Sequence, residues 1–277
     1  VNLDEYQKIQ PYADVDGTRY FLPNKHCEWR VQTMYTKEPD TVAWIRSMKA
    51  GDVFYDVGAN IGLYSLMAIK QGLQTFAFEP ESQNFAVLIR NMAMNNLTRQ
   101  QMVAFPFCIS NSERVDTLRL SSLIAGGSCH SFASDLNYKR EVKEWAMDQG
   151  TVGFSLDTLV YELGLPCPTH IKIDVDGFED KVLEGADRVL DHTQSVLVEM
   201  DSANSSHMEW KEILENRGFL TDPAEYEQAR RAEGPFSGIG NIIFRRPQEE
   251  SRNDIAQIGA PDEVRTRLDE VESTSGK

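Results

Sequence analysis

The stretch Val53-Phe54-Tyr55-Asp56-Val57-Gly58-Ala59-Asn60-Ile61-Gly62-Leu63-Tyr64-Ser65 carries the sharpest chemical signal in the 277 residues. An apolar strand ends in Asp56, and Gly58 and Gly62 bracket a turn into a helix. Such a turn lets the backbone come close to a ligand at the carboxyl edge of a sheet. A dinucleotide cradle asks for G-x-G-x-x-G, whereas this spacing is G-x-x-x-G with an acid ahead of it, so a ligand without phosphates fits better. Phe76-Ala77-Phe78-Glu79-Pro80 then ends a second strand in another acid, 21 positions after Gly58. A carboxylate there accepts hydrogen bonds from both hydroxyls of a ribose. Asp56 and Glu79 together suit S-adenosylmethionine, in which a ribose is joined to an ammonium and a sulfonium that reward nearby negative charge.

These residues need a sheet to carry them. From Val53 onward, short β-branched or aromatic runs alternate with helical stretches, the pattern of an α/β doubly wound, mostly parallel sheet with helices on both faces. Strands are predicted at Val53–Val57, Thr75–Phe78, Met102–Phe107, His170–Asp174, Ser195–Met200 and Asn241–Arg245. Helices are predicted at Ile61–Lys70, Ser82–Asn95, Asp157–Leu163, Phe178–Leu190 and His207–Asn216, with Gly72, Gly164 and Gly218 as stops. Residues 12–36 read as a strand pair ahead of a helix that starts after Pro39 and runs over Asp40–Met48. The reading is therefore a cap over 1–50, a main domain over 51–247 with a lid-like insertion at 111–153, and a polar acidic tail over 248–277.

Taken in order, several motifs resemble the FkbM family of class I, Rossmann-like methyltransferases. They are Lys37-Glu38-Pro39-Asp40-Thr41, Asp56 to Ser65, Phe78-Glu79-Pro80, Ser155-Leu156-Asp157-Thr158-Leu159, Ile171-Lys172-Ile173-Asp174-Val175-Asp176-Gly177-Phe178-Glu179 and Leu183-Glu184-Gly185-Ala186. The resemblance spans about residues 30–247. It implies a seven-stranded sheet with an antiparallel last strand, S-adenosylmethionine as methyl donor, and a hydroxyl of a sugar, glycan or natural product as acceptor. By position it assigns Asp56, Gly58, Asn60 and Gly62, with Ala59 in the same turn, to the methionine end. Glu79, followed by Pro80, goes to the ribose, and Cys108 to Ser110 lie near the adenine. Glu38 is expected to face the donor site or to cap its helix. Asp176 departs from the glutamate expected in the fourth-strand motif, which shortens its reach by one methylene.

Methyl transfer is an in-line displacement, so the protein must align two reactants and exclude water. A hydroxyl acceptor also needs a base, for which the candidates are Asp174 first, then Glu199 and His130. Alternation puts His170, Lys172 and Asp174 on one strand face, and Lys172 inside an apolar strand asks for a carboxylate partner such as Asp174 or Glu199. Asp174, Asp176 and Glu199 offer oxygens that Mg²⁺ accepts, but nothing in their spacing demands a metal, and none is favoured. In the Ser121–Phe132 stretch the small residues suit a loop folded over the ligands, with Phe132, Tyr138 and Trp145 as stacking surfaces.

Composition narrows the partners. A formal charge of −15 argues against nucleic acid, which draws on Lys/Arg clusters. The longest apolar stretch, Val53 to Ile69, is broken by Asp56 and Asn60 and is too short to span a membrane. Cys27, Cys108, Cys129 and Cys167 have no metal or redox spacing and read as reduced thiols of a cytoplasmic protein. The start lacks Met and any leader pattern, as in a processed chain or one cut from a longer protein. Two alternatives stand beside the methyltransferase: a catalytically silent cofactor-binding or interaction module, and a nicotinamide-dependent oxidoreductase that the glycine spacing disfavours. Nothing in these residues sets the oligomeric state.

Overall fold

The computed structural model describes residues 11–234 and 236–247; the predicted tail at 248–277 lies outside them. A hairpin of β1 (Tyr12–Val15) and β2 (Thr18–Phe21) opens the fold and is followed by α1 (Lys25–Thr33) and α2 (Pro39–Arg46). The sequence pattern foresees the hairpin and α2 but misses α1, which buries only Cys27 and Val31 and so shows almost no apolar stripe. Asn24 caps α1, accepting from the N–H groups of His26 and Cys27.

Next come β3 (Val53–Val57), α3 (Leu63–Lys70), β4 (Gln74–Phe78), α4 (Ser82–Met94) and β5 (Met102–Phe105). The insertion contributes β6 (Cys108–Ile109), β7 (Arg114–Leu120), β8 (Ser131–Phe132) and β9 (Met147–Phe154). The described residues continue with α5 (Leu156–Tyr161), β10 (His170–Ile173), α6 (Glu179–Glu184), α7 (Asp187–Leu190), β11 (Ser195–Asp201), α8 (Ser205–Asn216), α9 (Pro223–Ala229) and β12 (Ile239–Arg245).

The central sheet has the order β12-β11-β10-β3-β4-β5 and is parallel except for β12, which runs antiparallel to β11. This is the doubly wound class I methyltransferase arrangement, with six strands among the described residues rather than the seven expected. The reason lies just after α8. Leu220 makes only a single antiparallel bridge to Arg245, and Asp222-Pro223 then starts α9. Proline lacks an N–H and fixes φ, so pairing stops there. The expected helix at 178–190 is likewise broken into α6 and α7 around Gly185. A Cβ on that glycine would lie 2.2 Å from the Ser110 carbonyl oxygen.

Alternation along β3 sends Phe54 into one core and Tyr55 into the other. The first core also takes Tyr20, Trp44 and Ile45 from the hairpin and α2, together with Leu66 and Leu88 from α3 and α4. The second joins Ile171, Ile173, Val196 and Val198 to Val182 and Leu183 of α6. Chain order reverses between β3 and β10, so the two crossovers leave on opposite faces and open a crevice at the strands' carboxyl ends. Residues 111–153 form most of a second sheet, β6-β9-β7-β8, rather than a loose excursion.

Asn91 ties the hairpin to this body. Fully buried, it accepts from the Phe21 N–H at 2.6 Å and donates to the Ile61 carbonyl at 2.7 Å. Asn91→Ala leaves both groups without partners. It is expected to lower stability by about 1–3 kcal/mol per orphaned group in urea denaturation, with a single shared transition.

Candidate functional site

The turn after β3 explains why its residue types occur where they do. Gly58, Asn60 and Gly62 all have positive φ, at 79°, 52° and 83°. The Gly58 and Ala59 N–H groups both donate to the Phe78 carbonyl at 3.0 Å, which stitches the turn to β4. A Cβ on Gly58 would stand 1.8 Å from the Asp174 carbonyl oxygen, so only glycine lets β3 and β10 converge here. At Gly62 a Cβ would meet Leu88 Cδ1 at 2.3 Å.

This geometry delivers two backbone donors to one side chain. Glu79 Oε2 accepts from the Asn60 N–H and Oε1 from the Glu81 N–H, each at 2.8 Å. Burial raises the Glu79 carboxyl to about 7, against the pull of those two N–H groups toward ionisation.

Below the turn lies a second cluster. Lys172 on β10 stands in register with Asp56 on β3. Its Nζ lies 3.1 Å from Asp174 Oδ2 and 3.6 Å from Asp56 Oδ1, and both Lys172 and Asp56 are buried. Asp56 Oδ2 accepts from Ser65 Oγ at 2.6 Å. Burial alone would neutralise Lys172, but Asp174, Asp56 and Glu38 outweigh it and hold the ammonium above its ordinary range. Burial also works against the Asp174 charge, yet Lys172, then Lys37 and Arg30, keep this carboxyl below the usual range. The partner of Lys172 is thus Asp174 with Asp56. Glu199 pairs elsewhere, with Arg231 at 3.2 Å.

Above these groups is a cavity of about 620 Å³, within the range of small-molecule sites. Of the residues singled out in the sequence, Gly58, Asn60, Glu79, Pro80, Cys108, Ser110, His130, Asp174 and Glu199 line it. A small recess of about 50 Å³ beside the turn adds Glu38, Ala59 and Lys172. Arg30, Lys37, Gly58, Asn60 and Asp174 belong to both spaces. Asp56 and Gly62 line neither: Asp56 braces Lys172 from beneath, and Gly62 makes room for Leu88.

The loop joining β7 and β8 covers one side of the cavity. Asn60 Nδ2 and Asn84 Nδ2 both donate to the Gly127 carbonyl, at 2.7 and 3.1 Å. Asn84 Oδ1 accepts from the Gly126 N–H, and Arg30 Nε donates to the Gly126 carbonyl. Phe132 reaches the cavity, whereas Trp145 donates to the Asp135 carbonyl and lies away from it. Tyr138 packs on Phe236, with ring centroids 5.1 Å apart, beside the Asp176 turn.

Glu38 does not cap α2. Its carboxylate accepts from Tyr64 Oη at 2.7 Å and Asn241 Nδ2 at 2.8 Å and pairs with Lys37 at 2.8 Å. His130 Nδ1 accepts from the Ser121 N–H, which leaves its proton on Nε2, and burial holds the ring neutral. Glu199 is pushed well above the usual range by burial and by Asp174, Glu179 and Asp176. Among the described residues no group of three or more His, Cys, Asp or Glu side chains is arranged to hold a metal ion. Arg30, Asn84, Arg140, Arg231 and Phe236 escape sequence reasoning, because each reaches the site from a segment with no motif of its own.

Residues 56–221 match the Methyltransferase FkbM domain. The chain belongs to the FkbM methyltransferase family. Its family-matched span begins at Asp56 and takes in Glu79, the β10 turn and Glu199, while Arg30, Lys37 and Glu38 precede it. Among curated relatives, a hexuronic acid methyltransferase, AglP, from Haloferax volcanii is 26% identical over 190 residues, covering 68% of this chain and 73% of the relative. The 31-O-demethyl-FK506 methyltransferase FkbM of Streptomyces tacrolimicus is 25% identical over 195 residues, covering 62% of this chain and 74% of that protein. Among solved structures, the precorrin-6y C5,15-methyltransferase of Geobacter metallireducens is 12% identical with a TM-score of 0.43, covering 86% of this chain and 94% of its own. That likeness is too distant to bear on function. The four cysteines are free, and no described helix is long and apolar enough to cross a membrane.

Proposed function

We propose that this FkbM-family chain transfers a methyl group from S-adenosylmethionine to a hydroxyl of a sugar-like acceptor. One observation carries the reading. Glu79 stands at the end of β4 inside the cavity, with one lone-pair direction of each oxygen already taken by a backbone N–H, leaving both oxygens able to accept from a vicinal diol.

The donor fits the residues around that carboxylate. Phe107, Cys108 and Ser110 offer a largely apolar wall to the adenine side. At the junction of cavity and recess, Asp174 suits the α-ammonium, and Arg30 with Lys37 suits the α-carboxylate. The sulfonium supplies an activated methyl group. The protein's part is to bind and orient two ligands beneath the strapped 121–130 loop, keep water away, and take one proton.

The acceptor half favours a polyol. Arg231 pairs with Glu199 and Arg140 with Asp180, and their guanidiniums lie over Phe236 and Phe178. Arg231 with Glu199 can both donate to and accept from hydroxyls, and Arg140 adds a donor, beside rings that stack on a sugar face. The name of AglP supports the same class, and the net charge of −15 speaks against nucleic acid as the substrate.

Calorimetry with S-adenosylmethionine and S-adenosylhomocysteine tests the donor, and homocysteine-product release over a panel of hexoses and hexuronic acids tests the acceptor. Binding with turnover is the expected result. No binding to either ligand would leave a silent module on the same fold.

A further inference from the structure

The turn after β10 is built around one side chain that the sequence motifs leave without a role. Glu179, itself buried, accepts from the Val175 N–H at 2.9 Å and from the Gly177 N–H at 3.0 Å. These bonds clamp the backbone on either side of Asp176. Asp176 takes φ 59° and Gly177 φ 98°, and a Cβ on Gly177 would strike Tyr138 Cα at 2.7 Å. Left-handed backbone is uncommon outside glycine and is tolerated by Asp and Asn. Here it accompanies a side chain that lines both the main cavity and the small space behind it.

The partners of the cavity acids differ. Asp174 is tied to Lys172 at 3.1 Å and Glu199 to Arg231 at 3.2 Å. Asp176 has no ion-pair partner among the described residues, and its Oδ2 accepts from the Cys129 N–H of the covering loop at 2.6 Å. That bond fixes the carboxylate and leaves Oδ1 able to accept. His130, with Nδ1 engaged by Ser121, presents a donor rather than a base.

We infer that Asp176 is the general base of the reaction, taking the proton of the acceptor hydroxyl on Oδ1. The inference rests on the methyltransferase reading above. As the O–H bond breaks, its proton passes to Asp176. The hydroxyl oxygen's electron pair forms the new C–O bond, and the pair of the broken S–C bond stays on sulfur, turning the sulfonium into a thioether. Charge balances, because the proton replaces the positive charge lost from sulfur.

The electrostatic setting agrees. Burial, followed by the Asp174 charge, raises the Asp176 carboxyl to about 6, against the Cys129 hydrogen bond and Arg30. Other titratable and charged groups line the same two spaces: Glu199 and Asp201 on β11, Glu179 and Lys181 on α6, His207 on α8, and Arg140 and Arg231 from the insertion and beyond α9. A base poised near the working pH is the efficient kind.

Asp176→Asn keeps a residue that tolerates the left-handed turn, so the fold is expected to persist in a thermal melt. With the fastest acceptor of the hexose and hexuronic acid panel and saturating S-adenosylmethionine, the variant should lose about 100- to 10,000-fold in kcat. Its affinity for S-adenosylhomocysteine should not change. The acid limb of the wild-type kcat profile should vanish in Asp176→Asn and move in Asp176→Glu, which should recover part of the rate. Retention of kcat within about tenfold, or survival of the same acid limb, overturns the assignment while the methyltransferase reading stands. Parallel loss of kcat and S-adenosylhomocysteine binding would make Asp176 a structural or donor-site residue instead. A wild type that turns over no member of the panel overturns both.

Discussion

Lys172→Met is expected to destabilise the protein by about 3–5 kcal/mol, the cost of leaving a buried charge without its partner. Methionine nearly conserves the volume, so the loss reads electrostatics rather than a cavity. In the wild type one ammonium serves Asp174 at 3.1 Å and Asp56 at 3.6 Å. Asp56 Oδ1 is buried and has no hydrogen-bond partner among the described residues, so it leans on the Lys172 charge. The pH dependence has a definite sign. Because the folded Asp174 carboxyl lies below its ordinary value, the stability it contributes is present above that value. It is lost as pH falls through the folded one. The gap between wild type and Lys172→Met in urea should therefore narrow on acidification. Lys172→Met/Asp56→Asn should recover part of the loss. A single-variant cost below about 1 kcal/mol would mean that water already solvates these carboxylates, as at exposed pairs.

The same cluster explains what could be read from sequence and what could not. Val53–Val57 is found with the predicted bounds, because a β-branched and aromatic run broken by one acid ahead of a glycine turn allows little else. Glu79 is legible as a cavity residue for a similar reason, because an acid closing an apolar strand is exceptional. Asp56 carries the same sequence signal, yet its carboxylate lines neither the cavity nor the recess and faces Lys172. Its neighbour across the ladder is Lys172, 116 positions away. One charged residue in each of two apolar strands is a pairing clue only once the strands are known to be adjacent. Arg30 lay further out of reach, since it sits on a nine-residue helix with two buried positions. Its place at the mouth comes from a bond to Gly126, in a loop 96 residues away. The seventh strand failed for a local reason, the Asp222-Pro223 helix start, which outweighs the family pattern.

Glu79→Gln is expected to weaken S-adenosylhomocysteine binding about 10- to 100-fold, the worth of hydrogen bonds to a charged group at about 1.5–3 kcal/mol. Glutamine keeps one acceptor and turns an amide donor toward the Asn60 or Glu81 N–H, so part of any loss will come from the turn itself. A ligand-side cut separates the two effects. In the wild type, the 2′,3′-dideoxy form of S-adenosylhomocysteine should lose about the same 10- to 100-fold, and in Glu79→Gln that further loss should largely disappear. Additive losses would place the diol elsewhere. The pH dependence gives an independent readout. With its carboxyl raised to about 7 by burial, Glu79 becomes a fully accepting carboxylate only above that pH, so wild-type affinity should climb between about pH 6 and 8 and flatten in the variant. Stability of the free protein runs the other way. A carboxyl whose folded value lies above its unfolded one contributes most below the unfolded value, and that contribution is lost as pH rises through about 7. Ligand affinity rising while ligand-free stability falls over one pH window is the signature of a buried carboxylate that is costly to ionise until a diol is there to use it.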